Sequence, residues 1–298
     1  FKIASLDYKE SAVFHPDLSN EDNALIYGIT AGVPHYINKL GVKKSVDEAL
    51  LDNLFDRSSY LYEEPANLLK QELREPAIYN AIITAIAQGA SRINDIALKT
   101  GQENSVVSKY LGTLIDLGIV KKETPVTEKI GKKTIYELAD NFFRFWYRFV
   151  PANMSAIDSG RIQKSYVNTI KKNLPDYMGL TFEHMCRDYL LYYEKELPIE
   201  LNQVGQWWGT DNKNKKQVQI DIVGTPVEGD EYIIGSCKYR NEKIGLDELE
   251  LIREYAQVFG KGKKYYYYIF SKGGFTEGLI QAQNRREVKL IGLDDLYA

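Results

Sequence analysis

The residues with the clearest capacity for chemistry lie between Gln217 and Arg240, where the chain reads QVQIDIVG, then TPVEGDEY, then IIGSCKYR. Val218, Ile220 and Ile222 recur with a period of two, Tyr232, Ile233 and Ile234 run together, and a cluster of Pro, Gly and acids separates them. That pattern predicts a hairpin. Asp221 then falls inside its first strand and Lys238 at the end of its second. A carboxylate buried in a strand is costly unless a cation meets it, and the neighbouring strand can carry Lys238 there. One reading is an ion pair in which each group satisfies the other. The second is a reactive site built around the same two side chains.

An Asp on one strand and a Lys on the next resembles the core of PD-(D/E)XK nucleases. The resemblance implies that Asp221 and Lys238 are catalytic. Asp221 would hold a divalent metal, Mg or Mn, and Lys238 would assist the attacking water. It also implies an acid on the first helix of the domain, a place that Glu183 occupies. Where the family carries Glu two residues before the Lys, this chain has Ser236, in Ser236-Cys237-Lys238. A hydroxyl is a poor ligand for a hard dication. Some restriction enzymes with this replacement take the missing acid from the following helix, which here offers Glu248, Glu250 and Glu254. With Leu249, Ile252 and Ala256 facing the sheet, Glu250 is expected at the edge of the buried stripe. The implied metal set is therefore Asp221, Glu183 and Glu250, with the Cys237 carbonyl as a further oxygen.

The elements that must position these residues follow from the surrounding periodicity. Residues 181–196 read as a helix that buries Phe182, Met185, Tyr189 and Leu190. VGQWWG reads as a short strand, the hairpin follows, and a helix from Asp247 leads to the strand KKYYYYIFS and the closing VKLIGLDDLY. Helix, three strands, helix, strand is the order of a mixed sheet with helices on both faces, assigned to 165–298. Ahead of it, 76–140 has the rhythm of a winged helix-turn-helix: three apolar helical stripes broken at Gly89 and Gly101, then a hairpin turning at Gly131. Its outward Lys109 and the hairpin lysines Lys121, Lys122, Lys129, Lys132 and Lys133 would meet DNA phosphates without reading sequence. Packing against other domains is the alternative use of such a fold. DNFFRFWYRFVPAN, in 141–164, reads as an aromatic helix clamped between domains, with Arg144 and Arg148 on its polar side. A loose connection follows it.

Residues 1–75 read as helices interrupted at Gly32-Val33-Pro34 and again at Pro65. The strings LIYGITAGVPHYI and YLYEEPANLLKQELREPAIYNAIITAIAQG resemble the segment downstream of the nucleotide-binding core in archaeal and bacterial AAA-type ATPases. In that family a Gly-x-Pro of the lid can lie against the nucleotide, so Gly32 and Pro34 are the implied cofactor-binding residues. No G-x-x-x-x-G-K-[ST] string occurs; the nearest, Gly131-Lys132-Lys133-Thr134 and Gly260-Lys261-Gly262-Lys263, lack a required Gly or the Ser/Thr. ATP is therefore not expected to bind this piece, and hydrolysis would belong to a parent chain carrying a P-loop.

With GQWWG, QIDIVG and KYRNEKIGLDEL added, nearly the whole chain resembles the carboxy-terminal part of those ATPases: lid, winged helix and nuclease-like domain of the DUF234 type. The fold class expected is α+β and α/β multidomain. The function implied is a nucleic-acid-associated ATPase module with a degenerate, metal-dependent endonuclease site. The alternative is a non-catalytic protein-interaction or regulatory platform of a signalling ATPase.

At 298 residues the chain has room for two or three domains, and 44% hydrophobic with 27% charged residues is ordinary for a globular protein. A net charge of -3 argues against a strongly basic nucleic-acid binder while leaving local patches open. Cys186 and Cys237 form no CxxC motif, and His15, His35 and His184 are far apart, which excludes the usual zinc and triad spacings. No transmembrane span or signal peptide is visible, so a cytoplasmic protein with no membrane partner is expected. The chain begins at Phe1 and not Met, as a fragment would, and the missing ATPase core would then be its partner in the parent protein.

Overall fold

The computed structural model describes residues 5–73, 75–128, 131 and 133–298. The chain divides into two compact units. The first holds the residues up to Glu123 together with Thr134–Leu174, and the second holds Thr124–Lys133 together with Pro175–Ala298. No helix among the described residues is long and apolar enough to cross a membrane.

In the first unit, short polar side chains fix where helices begin. Asp7 accepts from the Glu10 N–H at the start of α1 (Tyr8–Ala12), and Glu10 reciprocates on the Asp7 N–H. Ahead of α2 (Asn20–Thr30), α3 (Pro34–Leu40) and α4 (Val46–Leu54), Ser19 and Ser45 cap α2 and α4 through the N–H groups of Asp22 and Glu48. Gly32 sits at φ +66°, and a Cβ there would lie 1.9 Å from the Leu6 carbonyl oxygen. The helix α5 (Tyr60–Glu72) runs through Pro65, which corrects the expected break. The lost N–H and ring clash cost about 3 kcal/mol. Burial of Leu61 and Leu69 along the helix, with Leu73 just beyond it, offsets that cost.

Next come α6 (Pro76–Ala87), α7 (Ile93–Thr100) and α8 (Asn104–Asp116), followed by the antiparallel pair β1 (Val120–Glu123) and β2 (Ile135–Leu138). Ile82, Ile83, Ile96, Val107, Leu111 and Leu114 are buried among them. In α9 (Asn141–Phe149), Asp140 caps the helix by accepting from the N–H groups of Phe142 and Phe143 at 2.7 and 3.1 Å. Phe142, Phe143, Phe145, Tyr147 and Phe149 are buried, and the Trp146 indole donates to the Tyr62 carbonyl at 2.9 Å. Arg144, expected on a polar side, is buried as well, because α2, α5 and α6 all pack on this helix. The stretch expected as a loose connection forms α10 (Met154–Asp158) and α11 (Ile162–Ser165).

The second unit starts within α12 (Lys171–Asp188), from Pro175 onward. Its sheet has the order β3 (Leu201–Asp211), β4 (Lys216–Pro226), β5 (Glu231–Lys238), β6 (Lys264–Ser271), β7 (Lys289–Gly292). The first three strands are antiparallel, and β5, β6 and β7 run parallel. Parallel neighbours need crossovers, supplied by α13 (Leu246–Phe259) and α14 (Glu277–Asn284); α15 (Leu293–Tyr297) closes the chain. The expected mixed sheet flanked by helices is present, with α14 an element the periodicity had not disclosed. Loop residues 124–133 belong to this unit: Val126 N–H donates to the Gln206 carbonyl at 2.8 Å, and the Gln203 amide donates to the Val126 carbonyl at 2.5 Å. These bonds cover part of the open edge of β3.

Candidate functional site

Strand pairing explains how Asp221 comes to face inward at a turn in the pleat. Gly205 pairs with Val223 and Trp207 with Ile220, so a single β3 residue, Gln206, stands opposite both Asp221 and Ile222. Such a bulge re-aims the side chain it contains. The Asp221 carboxylate accepts from the Cys237 N–H at 3.0 Å and from the Ser236 hydroxyl at 3.3 Å, both on β5. The same hydroxyl lies 2.6 Å from Glu248 at the start of α13. Lys238 completes the group, its Nζ 3.3 Å from Glu248 and 3.6 Å from Asp221.

Glu248, one of the three helix acids and judged from the sequence to be less well aimed than Glu250, is the buried one, at 7% exposure. Glu250, the expected ligand, is 63% exposed and pairs with Arg253 at 2.8 Å. The reason is helical geometry. Glu248 precedes Ile252 and Ala256 by four and eight residues and shares their buried face, whereas Glu250 is about 200° around the helix from Ile252. That spacing was the signal available in the sequence.

Glu183 is carried by α12. Its carboxylate lies 3.4 Å from Arg187 and accepts a hydrogen bond from the Gln206 amide, so the residue in the bulge also holds the helix acid. Behind both acids are the two cysteines, buried and free. Burial pushes both thiols up, Cys237 more strongly, and the nearby Asp221 and Glu183 charges add to it. At Lys238, burial pulls the ammonium down, but Asp221 and Glu248 more than offset it and hold its pKa above the ordinary value.

The donor set suits a hard divalent cation. Two carboxylates converge on one serine hydroxyl, and a single ammonium neutralises only one of them. Carboxylate oxygens in such a cluster are the donors that a hard divalent cation prefers.

The other candidate residues lie elsewhere. Gly32 is packed by the Leu6 backbone, and Pro34 is the first residue of α3, so here both serve a turn between helices. Lys109 and Lys122 are exposed. Lys121 is held by Glu123 and Glu137 at 2.8 and 2.7 Å, and Lys133 by Glu128 at 2.6 Å. Lys129 and Lys132 lie outside the described residues.

Comparison with known proteins finds a family model that matches part of the chain, and a relative. The DUF234 model, described as archaeal and bacterial proteins of unknown function, matches residues 146–250, a stretch that contains Glu183, Asp221, Ser236, Lys238 and Glu248. An uncharacterized protein of Methanocaldococcus jannaschii, MJECL04, is 30% identical over 274 residues, covering 87% of this chain and 61% of the relative. The chain thus spans about three fifths of that relative's length. Among solved structures, Can2 from Sulfobacillus thermosulfidooxidans, determined in complex with cyclic tetra-adenylate, is 13% identical with a TM-score of 0.27 and covers 77% of this chain and 52% of its own. VC1899 from Vibrio cholerae is 13% identical with a TM-score of 0.31, covering 93% and 58%.

Proposed function

We propose that the second unit is a metal-dependent nuclease-like module acting on DNA, and that the chain belongs to a larger AAA-type ATPase. The observation that carries the first part is the meeting of Asp221 and Glu248 on Ser236 with only Lys238 between them. Glu248 takes up the position left by the strand acid, which Ser236 replaces. A bound Mg or Mn would supply charge neutralisation and polarise a phosphoryl oxygen. The chain's own contribution is positional. Ser236 and the Cys237 N–H fix the Asp221 carboxylate, and Lys238 keeps its proton at neutral pH beside the scissile group. The ATPase context rests on the likeness of the amino-terminal strings to the lid of that family.

The test is calorimetry with manganese, paired with a plasmid cleavage assay. The parent protein should bind manganese and nick DNA slowly, more with manganese than with magnesium, and Glu248→Ala should lose both. If neither Mn nor Mg binds the parent, the nuclease reading fails. A second reading, a platform for protein contacts, is favoured by one observation: Lys121 and Lys133, in and next to the β1–β2 hairpin, are taken up by acids and not left for phosphates.

A further inference from the structure

The tip of the β3–β4 hairpin reads Asn212-Lys213-Asn214-Lys215-Lys216, and its three lysines are exposed. The acid beside them, Asp211, is engaged by the turn itself. Its carboxylate accepts from the N–H groups of Lys213 and Asn214 at 2.9 and 3.1 Å and from the Asn214 side-chain amide at 2.7 Å. Those donors, the Asn214 amide foremost, hold the carboxyl below the usual carboxylate range, and the charge of Lys216 adds to them. Lys216 also lies over the Tyr255 ring, 5.6 Å from its centroid. Lys213 and Lys215 make no ion pair among the described residues. Lys215 stands at φ +51°, where a side chain costs about 1 kcal/mol that glycine would avoid. The turn alone would be better served by glycine, which points to a role for the ammonium.

This tip borders a cleft of about 520 Å³ whose other side is the second half of α13. Asn212, Lys213, Glu254, Tyr255, Gln257 and Val258 line it, a size ordinary for a small-ligand site. Tyr255 and Val258 are half-buried and give it apolar walls. The side chains of Asn212, Glu254 and Gln257 make no hydrogen bond or ion pair among the described residues, so their polar atoms are open to a ligand. The combination is selective. A wholly anionic ligand, such as an acidic peptide, meets Glu254, and a wholly cationic one meets the lysines. A nucleotide satisfies both, with a phosphate for the ammonium groups, a planar apolar face, and in cytosine an amino group from which a carboxylate accepts. A base stacked and paired in a duplex cannot enter such a cleft.

We propose that this cleft takes one unpaired nucleotide of a single nucleic-acid strand, its base against Tyr255 and Val258 with an amino group on Glu254, and its flanking phosphates on Lys213 and Lys215. Glu254 follows Glu248 by six residues, about 9 Å along α13. The cleft thus shares a helix with the group of Asp221, Lys238 and Glu248, and binding in it needs no metal in that group.

The test is fluorescence anisotropy of short fluorescein-labelled oligodeoxynucleotides with the full chain in EDTA, across a salt titration. The parent should bind a single strand more tightly than the same sequence as a blunt duplex, and oligodeoxycytidylate about fivefold more tightly than oligothymidylate, which lacks the amino group. Lys213→Gln with Lys215→Gly should weaken binding about tenfold and lower the slope of log affinity against log salt by about 1.4, or about 0.7 for each phosphate lost. Lys215→Gly alone should give about half that change in slope with a urea midpoint no lower than the parent's, which separates lost contact from lost fold. Glu254→Leu should abolish the preference for cytosine and leave the salt slope unchanged. A parent that binds no single strand, or binds duplex equally well, would overturn the proposal. So would an unchanged slope in the lysine variants, or a cytosine preference that survives Glu254→Leu. Manganese calorimetry keeps this apart from the nuclease reading: the lysine variants should bind the metal as the parent does, whereas Glu248→Ala should lose the metal and keep the oligonucleotide.

Discussion

At the scale of single residues, the site turns on which acid of α13 faces inward. Glu248→Ala leaves Asp221 and Lys238 as a neutral pair, so manganese affinity should drop by about tenfold or more, 1.4 kcal/mol for each factor of ten. Glu250→Ala should leave it unchanged, since Glu250 is exposed and spoken for by Arg253. Equal effects in calorimetry would refute the assignment. Ser236→Ala removes the hydroxyl shared by both carboxylates and should lower stability by about 1–3 kcal/mol in a urea titration. The thiols give a pH prediction. Both Cys186 and Cys237 are held above their ordinary 9.0, so their contribution to stability is complete below that value and is lost as pH rises past it. The urea midpoint should fall between pH 8 and pH 10, and Ellman's reagent should find neither thiol in the native protein at pH 8. Asp221 and Lys238 were legible as facing residues of a hairpin, while Glu183 entered only through the nuclease resemblance, by its place on the first helix. The inward aim of Glu248 was within reach by helix arithmetic, through its spacing to Ile252 and Ala256. The bulge that aims Asp221 was not, since register depends on the pairing of β3 with β4.

At the scale of elements, the strands were legible where alternation spoke plainly, as in the hairpin of β4 and β5. The exceptions have physical causes. Pro65 marks a break by its chemistry, yet the buried leucines of α5 hold the helix together through it. Arg144 carries a charge that marks a polar face, yet α9 is surrounded and its guanidinium donates to Asn141. The Gly32 turn has the opposite character, being dictated locally. Its positive φ and the Leu6 carbonyl admit no side chain, so Gly32→Ala should cost about 2 kcal/mol or more and lower the melting temperature by several degrees. A melting curve that matches the parent would show that Leu6 yields easily. Gly209 is limited by space alone, because a Cβ there would sit 2.5 Å from the Trp207 ring.

At the scale of the whole molecule, the order of elements was readable and the division of the chain between compact units was not, because it depends on where loop residues 124–133 pack. DNA binding should reflect this. Lys121 and Lys133 already face acids, so exchanging them for Gln should change oligonucleotide affinity by less than about twofold. A gel shift that depends on Lys121 would return the main contact to the β1–β2 hairpin. The chain passes between its two units three times, after Glu123, after Lys133 and after Leu174. A single genetic crossover near residue 175 would therefore import a foreign sheet without the loop that matches it. Gln206 would meet a stranger at position 126, and the edge of β3 would inherit the mismatch. Recombination within this lineage should tolerate exchanges of α1 to α5 more readily than exchanges of the sheet, and viable chimaeras should carry residues 124–133 and the sheet from the same parent.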